Sequence, residues 1–415
     1  MFRGLATAIA AATLGVLVAG CSGGAHHAGG STPEGQVRLS ITPRGGTTDT
    51  TPNRGISVTA AGGTIKSVIV RTAGGPVAGR LSAGGTVWHS RWALDVGQDY
   101  RVVATATGAS GQTVTRTSSF RTFTPAHTFT TQITQGASQT YGVGMPIILY
   151  FSRPILYRAA VERALQIKTS KPVVGAWYWD TQCGMAPVCL YFRPRHYWPT
   201  HTKVSFSAHL NGVEVAPGVY GNHTLTQSFR IGSSLTVVVN TAGHYMNVYR
   251  DGKQFAHWPI SSGRPGDDTP NGNYLTIEKQ NPADMVGPGY NIEVPYSVRF
   301  TWSGDYLHDA YWSVGEQGFT NVSHGCVNMS PADAQTYYNM AVPGDPVKIT
   351  GSPRTGGWDS GWTMWFLSWK QWVRGSALHK AVQTGPHGSA LVGSSSPPAN
   401  GPATSLATNT PHVSF

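Results

Sequence analysis

Charge is what this sequence has little of. Lys, Arg, Asp and Glu together make up 12% of its 415 residues, about half the usual share. That composition argues against long salt-bridged helices as the main architecture. Acidic residues are the scarcer sign, 19 against 30 Lys and Arg, which leaves a formal net charge of +11. A basic surface outside the cell suits anionic polymers or lipid headgroups, or simply solvent. No basic run is interleaved with aromatics, so no nucleic-acid partner is expected. Gly, Ser, Thr and Pro take the place of charge, with 51 Gly and 27 Pro, and these favour short strands and turns. The length implies two to four domains.

The N-terminus sets the compartment. A short basic start, Met1-Phe2-Arg3, precedes an uncharged Ala/Leu/Val-rich run from Leu5 to Gly20. The run is short for a membrane span and reads as a signal peptide over residues 1–20. It closes on Leu17-Val18-Ala19-Gly20-Cys21, which resembles the bacterial lipobox. That resemblance implies cleavage before Cys21, lipidation of Cys21, and an extracytoplasmic protein held at the outer face of the cytoplasmic membrane. Residues 21–35 form a Gly/Ser/His-rich flexible tether,.

Cysteine is also scarce, four in all. Cys183 and Cys189 lie close together around Gly and Pro, and in an oxidising compartment such a pair is expected as a small-loop disulfide. No second ligand pair follows at zinc spacing, so no metal site is expected. Cys326 is left alone, and an unpaired cysteine in an exported protein is a candidate reactive thiol.

Residues 36–124 alternate as half-buried strands, with Gly-Gly pairs as turns,. Leu94-Asp95-Val96-Gly97-Gln98-Asp99-Tyr100 has the form of a tyrosine corner, a feature of immunoglobulin-like sandwiches,. A second such module is expected over 125–232 and a third, mainly β unit over 233–350. The third contains one convincing helix at 331–338, with Ser330 as N-cap and Pro331 at its first position,. Trp358, Trp362, Trp365, Trp369 and Trp372 follow at spacings of three or four. Such spacing suggests one helix face, packed back on the third unit. Residues 351–383 are assigned to this Trp-rich subdomain, and 384–415 to a disordered tail,.

The informative stretch is Ser323-His324-Gly325-Cys326-Val327-Asn328, with His308 lying 18 residues before the cysteine. That gap holds a strand, a turn and a return. A thiol becomes a good nucleophile when a histidine accepts its proton. Glycine at 325 lets the backbone pass close to a reacting carbonyl. The N–H groups around Gly325 and Cys326 are placed to stabilise an oxyanion.

These residues resemble the motif of the L,D-transpeptidases, or YkuD-type domains: a histidine, a gap of this size, then Ser/Thr-His-Gly-Cys-x-Asn. Gly263-Arg264-Pro265 with Thr269-Pro270-Asn271-Gly272 resembles the family's Gly/Pro turn. Leu307 to Gly315 resembles the mycobacterial-type enzymes, which carry two immunoglobulin-like domains before the catalytic domain and a Trp-bearing tail after it. The resemblance implies a mainly β chain: two immunoglobulin-like β-sandwiches, then a YkuD-type β-sandwich with one short helix and the Trp-rich subdomain. It makes Cys326 the nucleophile and His308 its base, with Ser323, His324, Gly325 and Asp309 as loop and backbone support. Asp309 stands where serine is common, and its acidic side chain is expected to raise the imidazole pKa. Tyr290, Ser303, Gly304, Trp312 and Asn328 become substrate contacts, beneath a lid at about 279–296 that includes Met285.

The implied reaction is 3→3 cross-linking of peptidoglycan through a cysteine thioester, with release of D-alanine and no cofactor or metal. Stem peptides would be donor and acceptor, and carbapenem β-lactams would acylate the cysteine. Hydrolysis of the same thioester (an L,D-carboxypeptidase), attachment of a protein to the wall, and a non-catalytic wall-binding lipoprotein are the other readings.

Overall fold

The computed structural model describes residues 36–287 and 290–393. The expected signal peptide, Cys21, the tether and the tail from 394 onward lie outside the described residues. No described helix is long and apolar enough to cross a membrane.

The first sandwich consists of two four-stranded sheets. One orders Arg38–Thr42, Ser57–Ala61, Val87–Ser90 and Gly79–Leu81; the other orders Gly75–Pro76, Gly63–Thr72, Asp99–Gly108 and Thr113–Arg121. Side chains alternate across a strand, so Tyr100, Val102, Ala104 and Ala106 are buried from one strand while their neighbours are less so. The tyrosine corner forms, with the Asp95 backbone N–H donating to Tyr100 Oη at 2.7 Å.

The second sandwich has a six-stranded sheet: Thr131–Ile133, Ile147–Phe151, Val188–Pro194, Val173–Asp180, Val382–Thr384 and Ala390–Leu391. The last two strands come from the C-terminal segment, so order extends past the expected limit at residue 383. Val382–Thr384 pairs antiparallel with Val173–Gly175, and the backbone N–H of Ile167 donates to Ser389 Oγ at 3.0 Å. Strand Val173–Asp180 would otherwise end the sheet with its backbone groups unpaired. The ordering partner is thus tertiary, and a Ser/Gly/Thr-rich composition carries no trace of it. The Cys183–Cys189 disulfide joins the loop beside this sheet.

The tryptophans do not share one helix face. A 3-10 turn, Met364–Phe366, precedes the short helix Trp369–Arg374. The segment docks mainly on the second sandwich rather than on the third unit. Trp372, fully buried, stacks on Tyr178 at 4.8 Å between ring centroids and donates its indole N–H to Ala176 O at 2.9 Å. The Arg193 guanidinium lies over Trp365 and Trp372 at 4.5 and 4.7 Å. Phe366 reaches the other way, edge-on to Tyr274 of the third unit. Helical spacing is mimicked because a chain wrapping an aromatic surface also returns a ring to it every few residues. Trp372→Ala is expected to cost about 3–5 kcal/mol through the cavity it leaves and to strand the Ala176 carbonyl. Chemical denaturation followed by tryptophan fluorescence would read this, and a midpoint within error of wild type would refute it.

The third unit packs two sheets around a core that includes Val237, Val239, Val248, Leu307, Val327 and Met329. Its five-stranded sheet orders Lys253–Pro259, Tyr245–Arg250, Leu235–Asn240, Pro346–Thr350 and Gly272–Leu275; the four-stranded sheet orders Glu278–Gln280, Ser297–Arg299, Tyr306–Asp309 and Val327–Met329. The helix forms over Pro331–Met340, with Ser330 Oγ accepting from the Asp333 N–H as an N-cap should,. The second sandwich meets this unit through backbone: Gly142 and Gly144 donate to Pro343 O and Gly344 O, both at 2.9 Å. A Cβ on Gly142 would stand 2.3 Å from Asp345 Oδ1, so the approach requires glycine there.

Candidate active site

His308 and Cys326 are brought together by parallel, not antiparallel, neighbours. Tyr306–Asp309 and Val327–Met329 pair in parallel, with His308 opposite Asn328. Parallel neighbours need a crossover, so residues 310–326 form one in place of a strand and return. The crossover carries Trp312, Ser313 and Glu316 back over the strand ends. There they line a cavity of about 290 Å³ together with Met285, Tyr290, His308 and Cys326.

His308 is 3% exposed, and its Nδ1 lies 2.7 Å from Asp309 O. A carbonyl oxygen can only accept, so Nδ1 carries the proton and Nε2 keeps its lone pair. Burial lowers the imidazole pKa to about 4, and the Asp309 carbonyl opposes that only in part. The expected effect of an acidic side chain at 309 is absent. Successive strand residues point to opposite faces; burial raises the Asp309 carboxyl, which meets the Tyr311 backbone N–H instead.

Cys326 is the free cysteine among the described residues, half-buried at the cavity. Its Sγ donates to Gly304 O at 3.7 Å. Burial first, then the negative charge of Asp305, pushes the thiol up to about 12, with the Tyr306 backbone N–H acting against both. The resting pair is therefore neutral thiol and neutral imidazole. They share the cavity with no hydrogen bond between them.

The cysteine loop is held by two hydroxyls. Ser323 Oγ donates to Cys326 O at 2.6 Å and accepts from the Gly325 N–H at 3.2 Å. Thr269 Oγ1 donates to Gly325 O at 2.7 Å and accepts from the Gly263 N–H at 2.9 Å. The Gly/Pro turn thus clamps the loop through its threonine. Gly325 has φ +128°, and a Cβ there would stand 2.4 Å from Asp305 Oδ1. Because Ser323 takes up the Gly325 N–H, that group is not a free oxyanion donor; the Cys326 N–H remains. Thr269→Val removes both hydrogen bonds and is expected to slow Cys326 acylation about 10- to 100-fold through misplacement of the loop. Intact-protein mass spectrometry over time measures it, and an unchanged rate would show that the clamp is dispensable.

The expected substrate contacts divide. Tyr290 lies in the hairpin Ala283–Gly287 and Tyr290–Val294, its ring 5.2 Å from that of His324. Trp312 lies over His308 at 5.9 Å. Both line the cavity, as does Met285. Gly304 presents its carbonyl to the thiol. Ser303 Oγ, in contrast, is engaged with Thr301 Oγ1 at 3.1 Å and Asp305 Oδ2 at 3.2 Å. Asn328 also lines the cavity, and its amide donates to Ser313 Oγ at 2.9 Å, which fastens the crossover. Asp305 escaped the sequence reading. Its signal was an acidic residue, scarce in this chain, immediately after Ser303-Gly304.

An unpaired thiol in the loop just before one strand, and a buried imidazole with one free lone pair on the parallel neighbour of that strand, are the equipment of a cysteine acyltransferase. A family model described as the L,D-transpeptidase catalytic domain matches residues 234–349, and one described as a bacterial Ig domain matches 47–214. L,D-transpeptidase 2 of Mycobacterium tuberculosis is 32% identical over 354 residues, 82% of this chain and 85% of that protein. L,D-transpeptidase 5 of the same species is 33% identical over 374 residues, 88% and 82%. Among solved structures, LD transpeptidase LdtMt1 in complex with imipenem is 32% identical, covering 55% of this chain and 100% of that one, at a TM-score of 0.45. This chain belongs to the L,D-transpeptidase family: a cysteine-dependent acyltransferase with a YkuD-type catalytic domain behind immunoglobulin-like modules.

Proposed function

We propose that the protein forms 3→3 cross-links between peptidoglycan stems, with Cys326 as nucleophile and His308 as general base. The carrying observation is the fixed tautomer: Nδ1–H on Asp309 O leaves Nε2 free in the cavity that holds the thiol. In the forward reaction the thiol proton passes to Nε2 as sulfur attacks the carbonyl of the third stem residue. The Cys326 N–H steadies the resulting oxyanion. The C–N bond to the terminal D-alanine then breaks, its amine taking the proton from the imidazole, and a thioester remains. The side-chain amine of a second stem attacks, gives its proton to His308, and displaces the thiol, which is reprotonated.

Tyr290, Trp312 and Met285 wall the donor site, and Gly304 positions the sulfur. Carbapenems acylate the same thiol. A lipid on Cys21 holds the protein at the outer face of the membrane, and residues 36–124 and 125–232 serve as two spacer domains that carry the catalytic domain into the wall. Incubation with a disaccharide-tetrapeptide tests the reading. A dimer lighter by one D-alanine is expected. Tripeptide monomer alone would assign a carboxypeptidase, and no product from any stem would defeat the proposal.

A further inference from the structure

We propose that Asp305 is a specificity-determining residue whose carboxylate receives the side-chain ammonium of the diamino acid in the donor stem, beside the carbonyl that Cys326 attacks. This rests on the reading of the site as a stem-peptide acyltransferase.

Asp305 sits between the two residues whose backbones meet the thiol, Gly304 through its carbonyl and Tyr306 through its N–H. Its carboxylate is built into place. Oδ2 accepts from Thr301 Oγ1 at 2.7 Å and from Ser303 Oγ at 3.2 Å. Oδ1 has no hydrogen bond among the described residues. It faces the bare Cα of Gly325, 2.4 Å from where a Cβ would stand. The ion pairs among the described residues join Arg121 to Asp99, Arg264 to Asp267 and Arg299 to Glu278; Asp305 has no cationic partner.

An uncompensated anion here works against the chemistry. Thiolate and oxyanion are both negative, and the Asp305 charge already raises the Cys326 thiol. In a chain with only 19 acidic residues, placing one against the nucleophile makes sense when the substrate brings the counter-charge. The donor stem does so through the second amine of the residue whose carbonyl is attacked. Its ammonium neutralises Asp305 as negative charge develops on sulfur and oxygen, so the contact is worth more in the transition state than in the ground state. A donor with that amine blocked leaves the carboxylate unpaired, which is how a polar site rejects a neutral analogue.

The test compares two tetrapeptide donors in single-turnover acylation of Cys326, read by intact-protein mass spectrometry. One carries the free side-chain amine and the other the N-acetylated amine. Wild type is expected to prefer the free amine about 10- to 100-fold in kcat/KM. Asp305→Asn keeps the side-chain shape and is expected to lose that preference by slowing on the free amine alone, with the acetylated donor faster because the charge opposing thiolate and oxyanion is gone. Iodoacetamide alkylation of Cys326 reports that the variant site is intact. Equal loss on both donors, or a retained preference, would overturn the inference. So would a wild type with no preference, which requires no variant at all. If neither donor acylates wild type, the acyltransferase reading itself falls, and this one with it.

Discussion

Cys326→Ala is expected to abolish the acyl-enzyme and to lower cross-linking by at least about 10⁴-fold, as removal of the nucleophile does in other covalent acyl-transfer enzymes. Intact mass after exposure to a tetrapeptide donor or a carbapenem gives the readout: an adduct on wild type and none on the variant. The fold should be indifferent. Cys326 as a residue is half-buried, and the hydrogen bond of its thiol is a 3.7 Å contact to Gly304 O, so the stability change should be about 1 kcal/mol or less. Loss of the adduct with a native near-ultraviolet spectrum isolates chemistry from folding. An adduct that persists on the alanine variant would place the nucleophile elsewhere.

His308→Ala is expected to cost about 10³-fold at pH 7, within the range for a general base, and to change the shape of the pH profile. In wild type the imidazole titrates at about 4. Below that pH it is already protonated and cannot take the thiol proton; above it the base is available. Acylation should therefore be nearly flat from about pH 8 down to 5 and fall through pH 4, well below the ordinary histidine value of about 6.5. Without His308 only the thiolate reacts. With the thiol at about 12, the residual rate should climb steadily with pH through the alkaline range. A wild-type rate that already falls near pH 6.5, or a variant rate independent of pH, would contradict the buried neutral imidazole. The same group affects stability. Between pH 6.5 and 4 the unfolded imidazole binds a proton that the folded one refuses, so stability declines as pH falls through that window and is unaffected above it.

The legibility of this molecule in its sequence follows the range of the forces involved. Strand alternation in Asp99–Gly108, the tyrosine corner at Tyr100 and the N-cap at Ser330 are local, since each depends on residues a few positions apart. The Ser323–Asn328 motif was legible because loop chemistry at a reacting thiol is also local: Gly325 must reach φ +128° with no Cβ, and Ser323 closes the turn within three residues. The tryptophan segment misled because a spacing of three or four is compatible with a helix and equally with a wrapped loop. Only the ring of Tyr178, far off in sequence, distinguishes the two. Composition failed at 384–393 for the same reason, as the strand it joins lies at Val173–Gly175. Asn328 and Ser303 carried no mark of being engaged within the protein, because a free and a satisfied side chain have the same letter.

Residue identity by itself marked the candidate nucleophile, the candidate base and the mainly β class, since these follow from side-chain chemistry, from a short motif and from patterns read within a few residues. Tertiary structure alone decided the rest. It set the parallel pairing that puts His308 beside the thiol, and the burial that holds both groups neutral. It turned the Asp309 side chain away from the imidazole and brought Asp305 against Gly325. Each of these depends on distances across the chain and on exclusion of water, and neither exists until the sheets have packed.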